Sequence, residues 1–95
     1  MPDLNNTGQM LECIDAFVNG DKERRQFVKD FSFEYKNCIS KMRLEDPDFA
    51  KAVFHYIFEI GINAATHLSD GAFKALVSKR YHELLAAKED GEYKI

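Results

Sequence analysis

The apolar positions of this chain recur at helical intervals in four stretches, and short polar or glycine-bearing breaks separate them. In the first, about Gly8 to Asn19, the residues Met10, Leu11, Ile14, Phe17 and Val18 share one helical face. Thr7 stands where an N-cap is expected, and Gly20 where a left-handed residue stops a helix. In the second, about Lys22 to Leu44, the residues Phe27, Val28, Phe31, Tyr35, Cys38, Ile39 and Met42 fall within about 120° at ~100° per residue. Asp21 is the expected cap of this helix. Phe33 lies on its far side, which makes it the candidate for self-association outside the monomer core.

"LEDPDF" closes the second pattern and opens the third. Asp46 before Pro47 reads as an N-cap followed by proline at the first helical position, where a missing N–H costs nothing. Asp48 suits the positive end of the helix dipole. A single helix from Pro47 to about Leu68 is predicted, with an apolar arc of about 200° containing Phe49, Ala50, Val53, Phe54, Tyr56, Ile57, Phe58, Ile60, Gly61, Ala64, Ala65 and Leu68. Lys51, His55, Glu59 and Thr66 form its narrow polar strip, with Asn63 at the edge. Ser69 or Asp70 then caps a fourth helix, Gly71 to Lys88, whose inner stripe is Phe73, Leu76, Val77, Tyr81, Leu84 and Leu85. Residues 89–95 read as a frayed charged tail.

Connections this short place sequential helices antiparallel. The expected fold is all-α: one domain spanning residues 1–95, a compact four-helix bundle with a short first helix and a central, apolar third. Its close variant is an irregular three-helix core with the first helix packed across it.

The 95 residues, 45% apolar and 31% charged, suffice for a core without a metal or disulfide staple. Cys13 and Cys38 are too far apart in sequence for a metal or redox motif and sit on apolar stripes, so buried free thiols are expected. "MPDLNNTGQM" has neither the basic nor the apolar region of a signal peptide. No run reaches the roughly 20 apolar residues of a membrane span. The expectation is a cytoplasmic protein with no membrane partner.

The net charge of −3 argues mildly against nucleic acid as a partner. Residues 1–48 carry 10 acids and 7 bases, and residues 49–95 carry 6 of each, so acidity is weighted toward the first half. Lys22, Arg24, Arg25 and Lys29 form a basic cluster interleaved with Glu23 and Asp30. It keeps open a small regulatory protein associated with nucleic acid.

Chemistry is sparse. His55 and Glu59, four residues apart on one helix face, have a spacing that metal-binding helices use. Two ligands are too few, however, and His67, twelve residues beyond His55, is rotated by about 120°. The serines have no adjacent base, and there is no nucleophile elbow or glycine-rich phosphate loop. No metal, no cofactor and no catalytic residue is expected; the chain reads as a non-enzyme. The sharper alternative to a merely wet helix edge is a partner-facing anionic surface built from Glu45, Asp46, Asp48, His55 and Glu59, steering a basic protein.

"MLECIDAFVNGDKERRQF" and "DPDFAKAVFHYIFEIGINAATHLSDGAF" together resemble the small helical immunity proteins of the colicin D immunity type. The likeness lies in a short helix ending in an Asn-Gly turn, a longer helix with an early Phe, an apolar helix with "IF", and a final amphipathic helix after an acidic break. It covers about Met10 to Leu85. It implies a cytoplasmic inhibitor of a cognate bacterial toxin, often a basic nuclease, with Glu45, Asp46, Asp48 and Glu59 standing in for phosphate charge. The mild acidity and the cluster from Lys22 to Lys29 depart from that pattern. A structural or scaffold homodimer built on Phe33 is the other class of function in view.

Overall fold

In a computed structural model of the chain, residues 6–93 are described. They contain helices and turns, with no strand among the described residues, so the fold class is all-α. The chain divides into two compact units, one ending at Ala50 and the other beginning at Lys51.

The first unit is built on α1 (Asn6–Val18) and α2 (Arg24–Glu45). Their shared face is an aromatic ladder. Phe17 stacks on Phe27 at 4.3 Å between ring centroids, Phe27 lies 5.8 Å from Phe31, and Phe31 lies 6.0 Å from Tyr35. Met10, Ile14, Phe27, Phe31 and Met42 are fully buried, and burying a side chain of this size contributes about 1.5–3 kcal/mol. Phe17 pairs with Phe27 near the turn, whereas the Cys38 thiol reaches Gln9 Oε1 at 3.6 Å further along. The two helices are therefore antiparallel, as their short connection predicts.

Gly20 takes the expected left-handed backbone, φ 89°. The Gly20 N–H donates to the Phe17 carbonyl and the Asp21 N–H to the Ala16 carbonyl, which is a Schellman closure. This closure corrects one expectation. Asp21 belongs to the end of α1 and does not cap α2, which starts at Arg24 with Glu23 in the N-cap position and no side-chain cap. Thr7 is likewise inside α1 and buried, because the helix already begins at Asn6.

At the other end of α2, Asp46 serves two helices. Its N–H donates to the Met42 carbonyl, closing α2, and its Oδ1 accepts from the Phe49 N–H at 3.1 Å, opening α3 (Pro47–Val53). Asp46 and Pro47 thus play the capping roles read from the sequence.

The predicted single helix to Leu68 is not what forms. In the second unit the chain leaves α3 for a π-helical segment, Phe54–Ile62, then a single 3₁₀ turn, Asn63–Ala65. The wider winding is seen where the Asn63 N–H reaches back five residues to the Phe58 carbonyl. Its consequence is visible in which side chains are buried. Ile57 and Ile62, five residues apart within the segment, are both buried. In an α-helix a five-residue step turns by about 140°, which would scatter them. Bonding to the fifth residue brings them toward one side, while Phe54 turns out to 39% exposure and Ala64 is exposed as well. Periodicity at 3.6 residues does not show this deviation, and the segment packs against another helix.

That packing comes from α4 (Asp70–Asp90). Arg80 Nε donates to the Ile60 carbonyl at 3.2 Å and Arg80 Nη1 to Glu83 at 2.7 Å, so α4 supplies a partner to the backbone of the π segment. Phe73, Val77, Tyr81 and Leu84 are buried as the stripe predicts. Ser69 caps α4 by accepting from the Ala72 N–H at 3.3 Å. The helix runs two residues past the expected end at Lys88. A left-handed Gly91 closes it, with the Glu92 N–H on the Ala87 carbonyl. The rest of the expected tail, 94–95, lies outside the described residues.

Gly61 is the close approach in this unit. A Cβ there would stand 3.0 Å from the Tyr56 carbonyl oxygen and 4.0 Å from Arg80 Cγ. Gly61→Ala gains about 1 kcal/mol of helix propensity but meets an overpacking cost of about 1–3 kcal/mol. The expected result is a net loss of about 1 kcal/mol, read as a melting temperature lower by roughly 4–8 °C. A raised melting temperature would mean that the segment rewinds without penalty.

Candidate protein-binding surfaces

The five residues of the expected anionic surface divide between the units. Glu45, Asp46 and Asp48 lie in the first, and His55 and Glu59 in the second. His55 Nδ1 stands 3.4 Å from Glu59 Oε1, with the histidine ring edge-on to Tyr56 at 5.4 Å. Half of the Glu59 side chain is exposed, so this pair contributes roughly a few tenths of a kcal/mol. Among the described residues no three His, Cys, Asp or Glu side chains gather as metal ligands would. No helix among them is long and apolar enough to cross a membrane.

The acidic junction carries more. Asp46 is committed to its two helix ends, which fixes the local backbone. Glu45 and Asp48 flank it, both exposed. Beside them Leu44 is 87% exposed, the most exposed large apolar side chain described. The junction is thus an apolar knob on a pinned backbone with carboxylates around it. Sequence reading missed Leu44, although the signal was present. Leu44 follows the buried Met42 by two residues, a rotation of about 200°, which turns it out of the core.

Phe33 bears the same relation to the buried Phe31, and it is 65% exposed. Phe33 and Leu44 are eleven residues apart, so they stand on one line of α2 about 16–17 Å apart. Each is followed by a glutamate, Glu34 and Glu45. Lys36 and Lys41 lie roughly 60° and 80° to either side of that line.

Phe33 also forms a wall of a groove of about 600 Å³ between α1 and α2, lined by Gln9, Glu12, Cys13, Ala16, Lys22, Asp30 and Glu34. Lys22 Nζ pairs with Asp30 Oδ2 at 2.9 Å and approaches the Cys13 thiol at 3.9 Å. One member of the basic cluster is therefore turned into the groove and neutralised. Cys13 and Cys38 are both free and buried, as expected. Burial pushes both thiols above their ordinary range, with Lys22 opposing the rise at Cys13 and Glu34 adding to it at Cys38. Neither thiol is poised as a nucleophile.

The Lys22–Asp30 pair has a pH signature. The hydrogen bond from Lys22 holds the Asp30 carboxyl below its ordinary value. Burial pulls Lys22 down, but the bond to Asp30 and the charges around it outweigh that, leaving the ammonium above its ordinary value. A depressed carboxylate stabilises the fold above its unfolded pKa, and that contribution fades as pH falls below about 4. A raised lysine contributes below its unfolded pKa, and its share fades as pH climbs past about 10. Urea melts across pH should show the acid-side loss in the parent chain and a shallower one in Asp30→Asn. Identical acid limbs would show that the pair adds nothing.

Comparison with known protein families, curated proteins and solved structures finds no match for the chain.

Proposed function

We propose that this chain is a non-catalytic protein-binding protein, an immunity-type inhibitor that neutralises a cognate bacterial toxin in the cytoplasm. The observation that carries the reading is Leu44, 87% exposed at a junction whose backbone Asp46 holds from both sides and whose rim is Glu45 and Asp48. An apolar centre within a polar, charged rim is the anatomy of a protein interface. A few well-packed anchors at the centre of an interface hold most of the binding energy. A backbone pinned in advance lowers the ordering cost of association. The resemblance to colicin D-type immunity proteins supports the choice of partner: a basic toxin domain, steered by carboxylates that occupy the place of substrate phosphates.

The test is to express the chain with the larger protein encoded beside it. The reading expects a toxin there, co-purification of the two, weakening of the pair with salt, and loss of toxicity on co-expression. A neighbouring toxin that purifies alone and kills regardless of this chain sinks it.

A further inference from the structure

The groove between α1 and α2 is described by its charges. Glu12, Asp30 and Glu34 face one cation, Lys22, giving three carboxylates against one ammonium and a net charge of −2. Lys22 and Asp30 satisfy each other. Glu12 has no ion-pair partner among the described residues, and Glu34 is met by the weak Cys38 thiol donor at 4.0 Å. The groove therefore offers two carboxylates beyond its internal pair. It is an open groove of about 600 Å³, room enough for a long side chain to lie along it. One wall is the ring of Phe33, which is 65% exposed.

We propose that this groove receives an arginine side chain of a protein partner, with the guanidinium held by Glu12 and Glu34 and its flat face laid on Phe33. Arginine fits better than lysine. Its planar fork bonds carboxylates in pairs and stacks on aromatic rings, whereas an ammonium is a compact, strongly hydrated point charge. The position is informative as well. Phe33 lies on the same line of α2 as Leu44, so a segment laid along this helix meets the groove at one end and the acidic junction at the other, about 16–17 Å apart. The second anchor rests on the proposed function; the arginine site itself does not.

The experiment titrates the full chain, labelled with ¹⁵N, with acetyl-Gly-Arg-Gly-amide and with the same peptide carrying uncharged citrulline. Saturable amide shifts are expected at residues 9–16 and 30–34 with the arginine peptide, weakening with salt, and none with citrulline. Phe33→Ala should weaken binding roughly two- to fivefold, the worth of an exposed cation–π contact. The double variant Glu12→Gln/Glu34→Gln should weaken it by about tenfold, since it removes both charge-assisted partners. Both substitutions sit on exposed or half-buried positions, and their unperturbed spectra will show that the fold is kept.

Absence of shifts, equal response to citrulline, or shifts that follow protein concentration instead of peptide overturns the proposal, the last by making the face a contact between copies of this chain. An intact arginine site in a chain that fails to inhibit its neighbouring toxin refutes the toxin reading alone. Inhibition by a chain whose groove ignores arginine refutes the groove alone.

Discussion

Phe27→Ala is expected to destabilise the fold by about 3–5 kcal/mol, the usual cost of emptying a phenylalanine from a core. Phe27 is fully buried and is the middle rung of the aromatic ladder, between Phe17 at 4.3 Å and Phe31 at 5.8 Å. Its removal leaves both neighbours facing a void and unties α1 from α2 at the point nearest their turn. A domain of this size has about 5–15 kcal/mol in total, so the variant stands close to unfolding at room temperature. Urea denaturation followed by circular dichroism gives the number. Phe33→Ala on the same helix is the control, because Phe33 is exposed and its loss should stay within about 0.5 kcal/mol. Equal losses at the two positions would show that the ladder is not the core of the first unit.

The second large effect concerns binding. In the triple variant Leu44→Ala/Glu45→Lys/Asp48→Lys, affinity for the partner is expected to fall at least about a hundredfold. Truncating a side chain that acts as a binding hot spot costs about 2 kcal/mol or more, roughly thirtyfold, and Leu44 is assigned that role here. Reversing two rim charges changes steering from attraction to repulsion and slows association further. Folding should be nearly untouched. Leu44 contributes little to the interior at 87% exposure, Asp46 is left in place to hold both helix ends, and a lysine in the first turn of α3 costs about 0.3–1 kcal/mol against the dipole. The informative readout is the rate: the charge reversals should act on the association rate and its salt dependence, and the Leu44 truncation on the dissociation rate.

Several parts of this architecture were legible in the residue order because a local rule decides them. Gly20 has to stop α1 because only a residue at ease with positive φ closes a Schellman turn there. Asp46-Pro47 has to start a helix because the proline lacks the N–H that the first turn would leave idle. The stripes of α2 and α4 bury Phe27, Phe31, Cys38 and Met42, and Phe73, Val77, Tyr81 and Leu84, as a 3.6-residue period requires. The π segment was not legible. Its i→i−5 bonding does not follow from residue periodicity, and the Arg80 side chain that meets its Ile60 carbonyl comes from α4, twenty residues away in sequence.

The surface residues show the same division. His55 and Glu59 were singled out because histidine and glutamate at a four-residue spacing look like chemistry, and in the structure they are a long, exposed pair. Leu44 carries no charge or ligating atom that would mark it as chemistry. Its rotation of about 200° from Met42 already turns it outward, and the folded chain shows how far, at 87% exposure. The groove was invisible for a related reason. Its floor joins Cys13 to Lys22 and Asp30, residues brought together only once α1 and α2 lie antiparallel.

Photocrosslinking from position 44 tests the central claim most directly. A benzophenone-bearing residue placed at Leu44, and another at the exposed Lys79 of α4 as a control, would be irradiated in the source cells. The account predicts one predominant adduct from position 44, formed with a basic protein, reduced by Glu45→Lys and absent from position 79. No adduct at position 44, or the same adducts from both positions, would contradict it.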